Sequence, residues 1–446
     1  MKKDFKIANR FREQLKQELQ IWQADGIISP DQSAAITQRY KLDKTGRESR
    51  NILLFAIYII GAVLIAAGVI SFVAAHWDKI ASSVKIILII SFMLACHLSV
   101  FYFWKIPGKS PRLGHALITL GTLVFGANIG LLAQIFHIKA NFYNGLYAWA
   151  VGAVVMAYAL KSIPNVIIAI VVSFIAFWGW VDDYPSAFCY YPFIAAVVFL
   201  PFAYLHRSIL TFIFSLLAIG ISVIVCACWG TEEFSAFILA TGGVALLFFS
   251  LGLLAYRTTS FKSFASPAMV LAVSFAAMNA YMPSFRALAK EVEFGYSTEG
   301  NMWVIPVASV YIIAVLIWAY VFKSILSTRR LRPISISIFA ATILVLSGII
   351  TKTCWTYDDH LLLVISSNLA CLALCIGLIV NSFLAEDRRL FWAGILFTAL
   401  IITSRFLEYE TDLLLKAIVF TACGVGLILA GVKFENFLKK RKLINE

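Results

Sequence analysis

From Asn51 onward the chain is an almost unbroken series of apolar runs. Most are long enough to cross about 30 Å of hydrocarbon, which takes roughly 20 residues of helix. A backbone in lipid can satisfy its hydrogen bonds only as helix or closed barrel. Strands of alternating polarity are absent from the sequence, so helices remain. Composition agrees: 61% of residues are hydrophobic and 14% charged, against about 45–50% and about 25% in an average soluble domain. Mean hydropathy is +0.87. No soluble core hides that much apolar surface, which excludes a soluble enzyme, a nucleic-acid-binding domain, a disordered chain and a secreted disulfide scaffold.

The expected fold is an all-α, polytopic transmembrane bundle of about fourteen spans. They fall near 51–75, 82–104, 113–137, 146–160, 163–181, 188–205, 208–229, 234–256, 264–282, 302–323, 334–351, 360–382, 390–404 and 412–432. The fourth and fifth are short and meet at Lys161-Ser162-Ile163-Pro164, so they read either as two spans or as a re-entrant hairpin. Three segments follow: a helical hairpin over 1–50, the membrane domain over 51–432 and a basic tail over 433–446.

Charge sets the orientation. With the N-terminus inside, 29 of the 37 Lys and Arg lie in inner segments and 8 in outer ones. Trp77, Trp149, Trp178, Trp180, Trp229, Trp303 and Trp355 then fall near outer ends, and Trp104, Trp318 and Trp392 near inner ones, as interfacial belts require. Both termini are expected in the cytoplasm, with anionic membrane lipid, not nucleic acid, as the partner of the basic face. The first fifty residues are charged and carry no short apolar stretch of signal-peptide type.

Within 1–50, Phe11, Leu15, Leu19 and Trp22 recur at helical spacing. Gly26 ends that helix, and Ser29-Pro30-Asp31-Gln32 reads as the capped start of a second, with Gln32 placed for a capping box. The hairpin is expected either to lie on the membrane or to dock a second copy or another protein.

A family resemblance rests on Trp22, Gly26-Ile27-Ile28, Gln32, Ile36 and Tyr40, then Gly61-Ala62, Gly68 and Ala74-Ala75-His76-Trp77-Asp78. Phe125-Gly126-Ala127, Ala133-Gln134-Ile135-Phe136-His137-Ile138 and Trp149-Ala150 to Ala157-Tyr158 extend it, with a fainter echo in Ser404-Arg405-Phe406 and Asp412-Leu413-Leu414. Over residues 10–180 the chain resembles the bacterial predicted-membrane-protein family called domain of unknown function 2157. The resemblance implies a multispanning bacterial inner-membrane protein with a cytoplasmic helical N-terminus and carries no established activity. Asn141-Phe142-Tyr143-Asn144 stands where members usually have acidic or glycine-rich residues.

Motifs of soluble chemistry are missing: there is no phosphate-binding lysine loop, no His-Glu-x-x-His helix and no paired CxxC. Gly424-Val425-Gly426 lies inside the last span and follows no strand. The eight cysteines are scattered and expected to be free apolar thiols, not disulfides or metal ligands. No catalytic residue, metal or cofactor is expected. No Asp, Glu, Lys or Arg falls near the middle of a span, which argues against ion-coupled transport. His97 is the one titratable candidate at depth.

Two groups of residues are candidates for a cavity or its mouth. On the third span Thr119, Thr122, Gly126, Gly130, Ala133 and His137 share a helical face, read either as a tight packing seam through Gly126 and Gly130 or as the lining of a path that opens at Gln134 and His137. Asn128 projects to the other side, toward a neighbouring helix. At the outer surface His76, Asp78, Gln134, His137, Arg405, Glu408 and Asp412 are candidates to converge. Arg405 and Glu408 stand at i, i+3 and Asp412 and Lys416 at i, i+4, as helical ion pairs do. With only Arg286 and Arg405 as outer arginines, a lipid-pyrophosphate transferase is disfavoured. The leading expectation is binding or passage of a small or lipidic solute without a coupling ion. A scaffold or sensor acting through the hairpin is the alternative, and a lipid-modifying enzyme using His76, Asp78 and His137 the third.

Overall fold

The computed structural model describes residues 9–40, 80–105, 111–138, 141–180, 189–231, 234–286, 304–326, 360–385, 388–408 and 413–445, with single positions at 64, 68, 71 and 288. The chain forms two compact units, Met1–Ala140 and Asn141–Glu446. Every described regular element is a helix. Among the described residues ten helical stretches are long and apolar enough to cross a membrane, and Tyr191–Leu205 and Leu390–Phe406 are shorter apolar helices. The expected spans 51–75 and 334–351 lie outside the described residues apart from single helical positions at Leu64, Gly68 and Ser71.

The first unit holds α1 (Asn9–Ala24), α2 (Pro30–Tyr40), α3 (Ser82–Lys105) and α4 (Pro111–Ile135). Leu19 is the buried anchor of the α1–α2 hairpin. The capping box is formed: the Gln32 N–H donates to Ser29 Oγ at 3.2 Å and the Ser29 N–H to Gln32 Oε1 at 3.0 Å.

α3 and α4 are antiparallel neighbours whose seam runs through Ile118, Gly121, Thr122 and Asn128. The His97 ring lies over Gly121, where an added Cβ would sit 2.9 Å from its Cε1. Asn128 Nδ2 donates to Ile89 O at 3.4 Å across the seam. At 100° per residue Gly126 and Gly130 lie about 140° and about 180° round the helix from Gly121 but only about 40° and about 80° from Thr122. Among the described residues nothing comes within 4 Å of a Cβ built at Gly130. Of that face, Thr122 is buried at the seam and Gly130 is exposed.

The second unit holds α5 (Phe142–Leu160), α6 (Ile163–Trp180), α7 (Tyr191–Leu205), α8 (Ile209–Thr231), α9 (Phe234–Arg257), α10 (Ala265–Tyr281), α11 (Val304–Leu326), α12 (His360–Ala385), α13 (Arg388–Glu408) and α14 (Leu413–Asn445). One-turn 3-10 segments, Thr259–Phe264 and Met282–Ser284, flank α10. α5 and α6, the pair of uncertain reading, are each long enough to span. α9 is the most enclosed of the described spanning helices. Its Val244, Ala245 and Phe248 pack with Phe212, Leu216, Phe275 and Val310 in the main core. Polar groups tie α9 to its neighbours: Asn279 Nδ2 donates to Ile238 O at 2.6 Å and Thr241 Oγ1 at 2.7 Å, and Tyr311 Oη donates to Leu239 O at 2.9 Å.

Three helix ends share one device. His137, Lys161 and Arg207 have φ of 51°, 52° and 49°. The next N–H in each case reaches back to a carbonyl five residues earlier: Ile138 to Ala133, Ser162 to Ala157 and Ser208 to Ala203. This is the left-handed helix stop that glycine usually supplies. The second and third have matching sequences, Ala157-Tyr158-x-x-Lys161-Ser162-Ile163 and Ala203-Tyr204-x-x-Arg207-Ser208-Ile209, and the pattern recurs as Ala319-Tyr320-x-x-Lys323-Ser324-Ile325. Ser208 then caps α8, its Oγ accepting from the Thr211 N–H at 3.2 Å. At the equivalent turn Ser162 Oγ and both Asn165 amide atoms are buried without a partner among the described residues.

The thiol expectation needs a correction. Cys189 and Cys226 form a disulfide. The helices they flank, α7 and α8, run antiparallel, so the start of one meets the end of the other although 37 residues separate the two cysteines. Cys96, Cys228, Cys371, Cys375 and Cys423 are free.

Candidate functional site

The site begins where α10 ends. Pro283 sits in the 3-10 turn Met282–Ser284, which leaves Ser284 buried with its carbonyl turned toward α12 and α13. Two helices supply donors to that one carbonyl: Asn368 Nδ2 from α12 at 3.3 Å and Arg405 Nη1 from α13 at 2.5 Å. Arg405 Nη2 also donates to Ser284 Oγ at 2.8 Å, and Nη1 pairs with Glu408 Oε2 at 2.5 Å. The other Glu408 oxygen, Oε1, accepts the Arg286 backbone N–H at 2.5 Å. The Phe285 ring closes one side, 4.2 Å from the guanidinium carbon. Arg405 Nε is buried without a partner among the described residues.

The pair is deeper than its sequence position suggests. Side-chain exposure is 16% for Arg405 and 12% for Glu408. The apolar span of α12 starts at Leu361. Asn368, which shares the Ser284 carbonyl with Arg405, lies seven residues on, roughly 10 Å along the helix axis. The guanidinium thus packs beside the apolar part of α12.

Next to this node a cleft of about 480 Å³ opens between α12 and α13. Its walls are Leu361, Val364, Ile365, Leu369 and Leu372 of α12 and Ile401 and Ile402 of α13. The other lining residues are Arg286, Asn368, Cys375 and Thr398. A volume of about 300–1,000 Å³ with apolar walls and few polar groups is the usual form of a small-molecule site.

The other expected residues are placed as follows. Arg405 and Glu408 make their i, i+3 ion pair. Thr122 is buried and donates to Ile118 O in its own helix at 3.1 Å. Thr119 is half-buried, and Gln134 and His137 are exposed at the end of α4, where His137 is the left-handed stop residue. His97 Nδ1 is 2.8 Å from Met93 O, one turn back in its own helix. His76, Asp78 and Asp412 lie outside the described residues, as does the Lys416 side chain. Among the described residues no group of His, Cys, Asp and Glu is placed to hold a metal. Ser284, Asn368 and Arg286 are the site residues that the sequence reading missed.

No curated protein and no solved structure matches the chain. A family match covers residues 20–165, from the end of α1 to the start of α6, and leaves the cleft outside it. Over that stretch the chain matches the family described as predicted membrane protein (DUF2157), whose function is unknown.

Proposed function

We propose that this membrane protein binds a small or lipidic solute in the α12–α13 cleft, without a coupling ion. The observation that carries the reading is the junction of an apolar cleft with a half-buried ion pair, Arg405–Glu408, locked by three further hydrogen bonds. Such an arrangement gives a ligand an apolar wall for its body and a fixed electrostatic end for its head. The membrane is read as a bacterial inner membrane with both chain termini in the cytoplasm. The Lys and Arg distribution supports that orientation, and so does the disulfide. Cys189 and Cys226 fall at the helix ends that the charge count assigns to the outside, the side on which disulfides persist. α8, α9 and α10 alternate through short turns, so Ser284 and the Arg405 node belong to that same end.

A scaffold role through the N-terminal hairpin is the second reading, supported by Ile21 and Ile27, which are 52% and 67% exposed. Native mass spectrometry of the protein extracted with its surrounding lipid separates the two. A single enriched species in wild type that is lost in Leu369→Trp, which fills the cleft, supports solute binding. Bulk lipid alone, with a protein partner lost on deletion of residues 1–50, supports the scaffold.

A further inference from the structure

We infer that the turn between α5 and α6 holds an internal water that bridges Ser162 and the Asn165 amide; the inference is independent of the cleft. Its ground is a group of polar atoms without partners. Ser162 and Asn165 are both 0% exposed, so protein encloses them and neither bulk solvent nor lipid reaches them. Ser162 Oγ, Asn165 Oδ1 and Asn165 Nδ2 have no hydrogen-bond partner among the described residues. Leaving a buried hydroxyl or amide unpaired is costly, and folded proteins meet that cost with a protein group or an ordered water.

The equivalent turn between α7 and α8 shows where these side chains point. Arg207 there is the left-handed stop, as Lys161 is here, and Ser208 stands at the N-cap, as Ser162 does. Ser208 Oγ and Thr211 Oγ1 are 2.9 Å apart, and the Thr211 N–H donates to Ser208 Oγ at 3.2 Å. The N-cap and the third helical position thus face one space over the first turn. In α6 those positions are Ser162 and Asn165, with Pro164, which has no N–H, between them. Here the two side chains stand beyond hydrogen-bond reach of each other.

Donor chemistry names the occupant. The Asn165 amide needs an acceptor at Nδ2 and a donor at Oδ1. A cation serves Oδ1 and Ser162 Oγ but sets positive charge against Nδ2, and an anion serves Nδ2 and the Ser162 hydroxyl but repels Oδ1. Water both donates and accepts, so one molecule serves all the atoms, and about three polar contacts are usual for a buried water. It closes at α6 the N-cap that Thr211 closes directly at α8.

The test is a cryo-EM reconstruction of the full-length protein in nanodiscs, at a resolution that shows ordered water, for wild type and for Asn165→Thr, which copies the equivalent turn. The expected wild-type map has one peak within about 3 Å of both Ser162 Oγ and the Asn165 amide. In Asn165→Thr that peak is lost, because the introduced hydroxyl bonds Ser162 as Thr211 bonds Ser208. A wild-type map with the amide bonded directly to Ser162 or to a backbone group, and no peak between them, overturns the inference. A peak that persists in Asn165→Thr overturns the amide as its partner. A peak that strengthens when rubidium replaces potassium, or bromide replaces chloride, makes the occupant an ion and overturns water.

Discussion

Arg405 and Ser284, 121 residues apart in the chain, are joined twice: Nη1 donates to the Ser284 carbonyl and Nη2 to its hydroxyl, at 2.5 and 2.8 Å. This clamp ties the end of α10 to α13, and Asn368 ties the same carbonyl to α12. Three helices thus meet at one carbonyl, and the charge of the guanidinium that binds it is matched by Glu408. Removing one member of a buried pair leaves the other uncompensated. Glu408→Gln is expected to cost about 3 kcal/mol, seen as a lower thermal midpoint in detergent. Ser284→Ala removes a hydrogen bond to a charged donor and is expected to cost about 1.5–3 kcal/mol. The double variant Arg405→Leu with Glu408→Leu is expected to recover much of the loss, because no buried charge then stands alone. A midpoint unchanged in Glu408→Gln would mean that the pair is solvated.

His137 has an exposed side chain and a positive φ, so its backbone is what the fold uses. Glycine adopts that conformation without a Cβ penalty. His137→Gly is expected to leave stability unchanged or to raise it by up to about 1 kcal/mol, measured by thermal unfolding. Loss of a co-purifying ligand in that variant would give the imidazole a role beyond the helix stop.

The His97 ring occupies the space that a side chain at position 121 would need. Gly121→Ala forces the ring aside and is expected to destabilise by about 1–3 kcal/mol, the usual range for overpacking. In a His97→Ala background the same substitution should be close to neutral. A double-mutant cycle reads the difference, and equal costs in both backgrounds would place the ring elsewhere.

The Cys189–Cys226 bridge closes a loop across α7 and α8. Its removal by Cys189→Ser with Cys226→Ser is expected to cost about 2–4 kcal/mol. If this end faces an oxidising compartment, blocking thiols in intact cells before lysis should leave the two cysteines linked in a non-reducing peptide map. Recovery of both as blocked thiols would point the end toward the cytoplasm.

The helices were legible from the sequence because lipid imposes length and hydropathy on each crossing: eleven of the expected spans coincide with described helices to within about four residues, and the last starts where expected but continues as helix to Asn445, through the segment read as a basic tail. The Ser29–Gln32 capping box and the Arg405–Glu408 pair were also legible, since local spacing determines both. Contacts set by tertiary packing were not. Periodicity shows that Thr119, Thr122, Gly126 and Gly130 share a face of α4, yet it does not say which side α3 meets, and the seam takes in Gly121 together with Thr122. Ser284 and Asn368 are single polar residues in apolar surroundings and stand out only once α10, α12 and α13 come together. The cleft walls are the same Leu and Ile that face lipid elsewhere. Cysteine pairing is not written in spacing, although Cys189 and Cys226 both fall at outer ends of adjacent spans. The repeated Ala-Tyr-x-x-basic-Ser-Ile turn escaped a search for half-chain symmetry because it recurs at the scale of single hairpins.

The most direct test of the cleft is a cryo-EM reconstruction of the protein in nanodiscs of native lipid. The account predicts a ligand density between Leu369 and Ile401, absent from the Leu369→Trp variant. Leu369, Leu372 and Ile401 packed in direct contact, with no density between them in wild type, would contradict it.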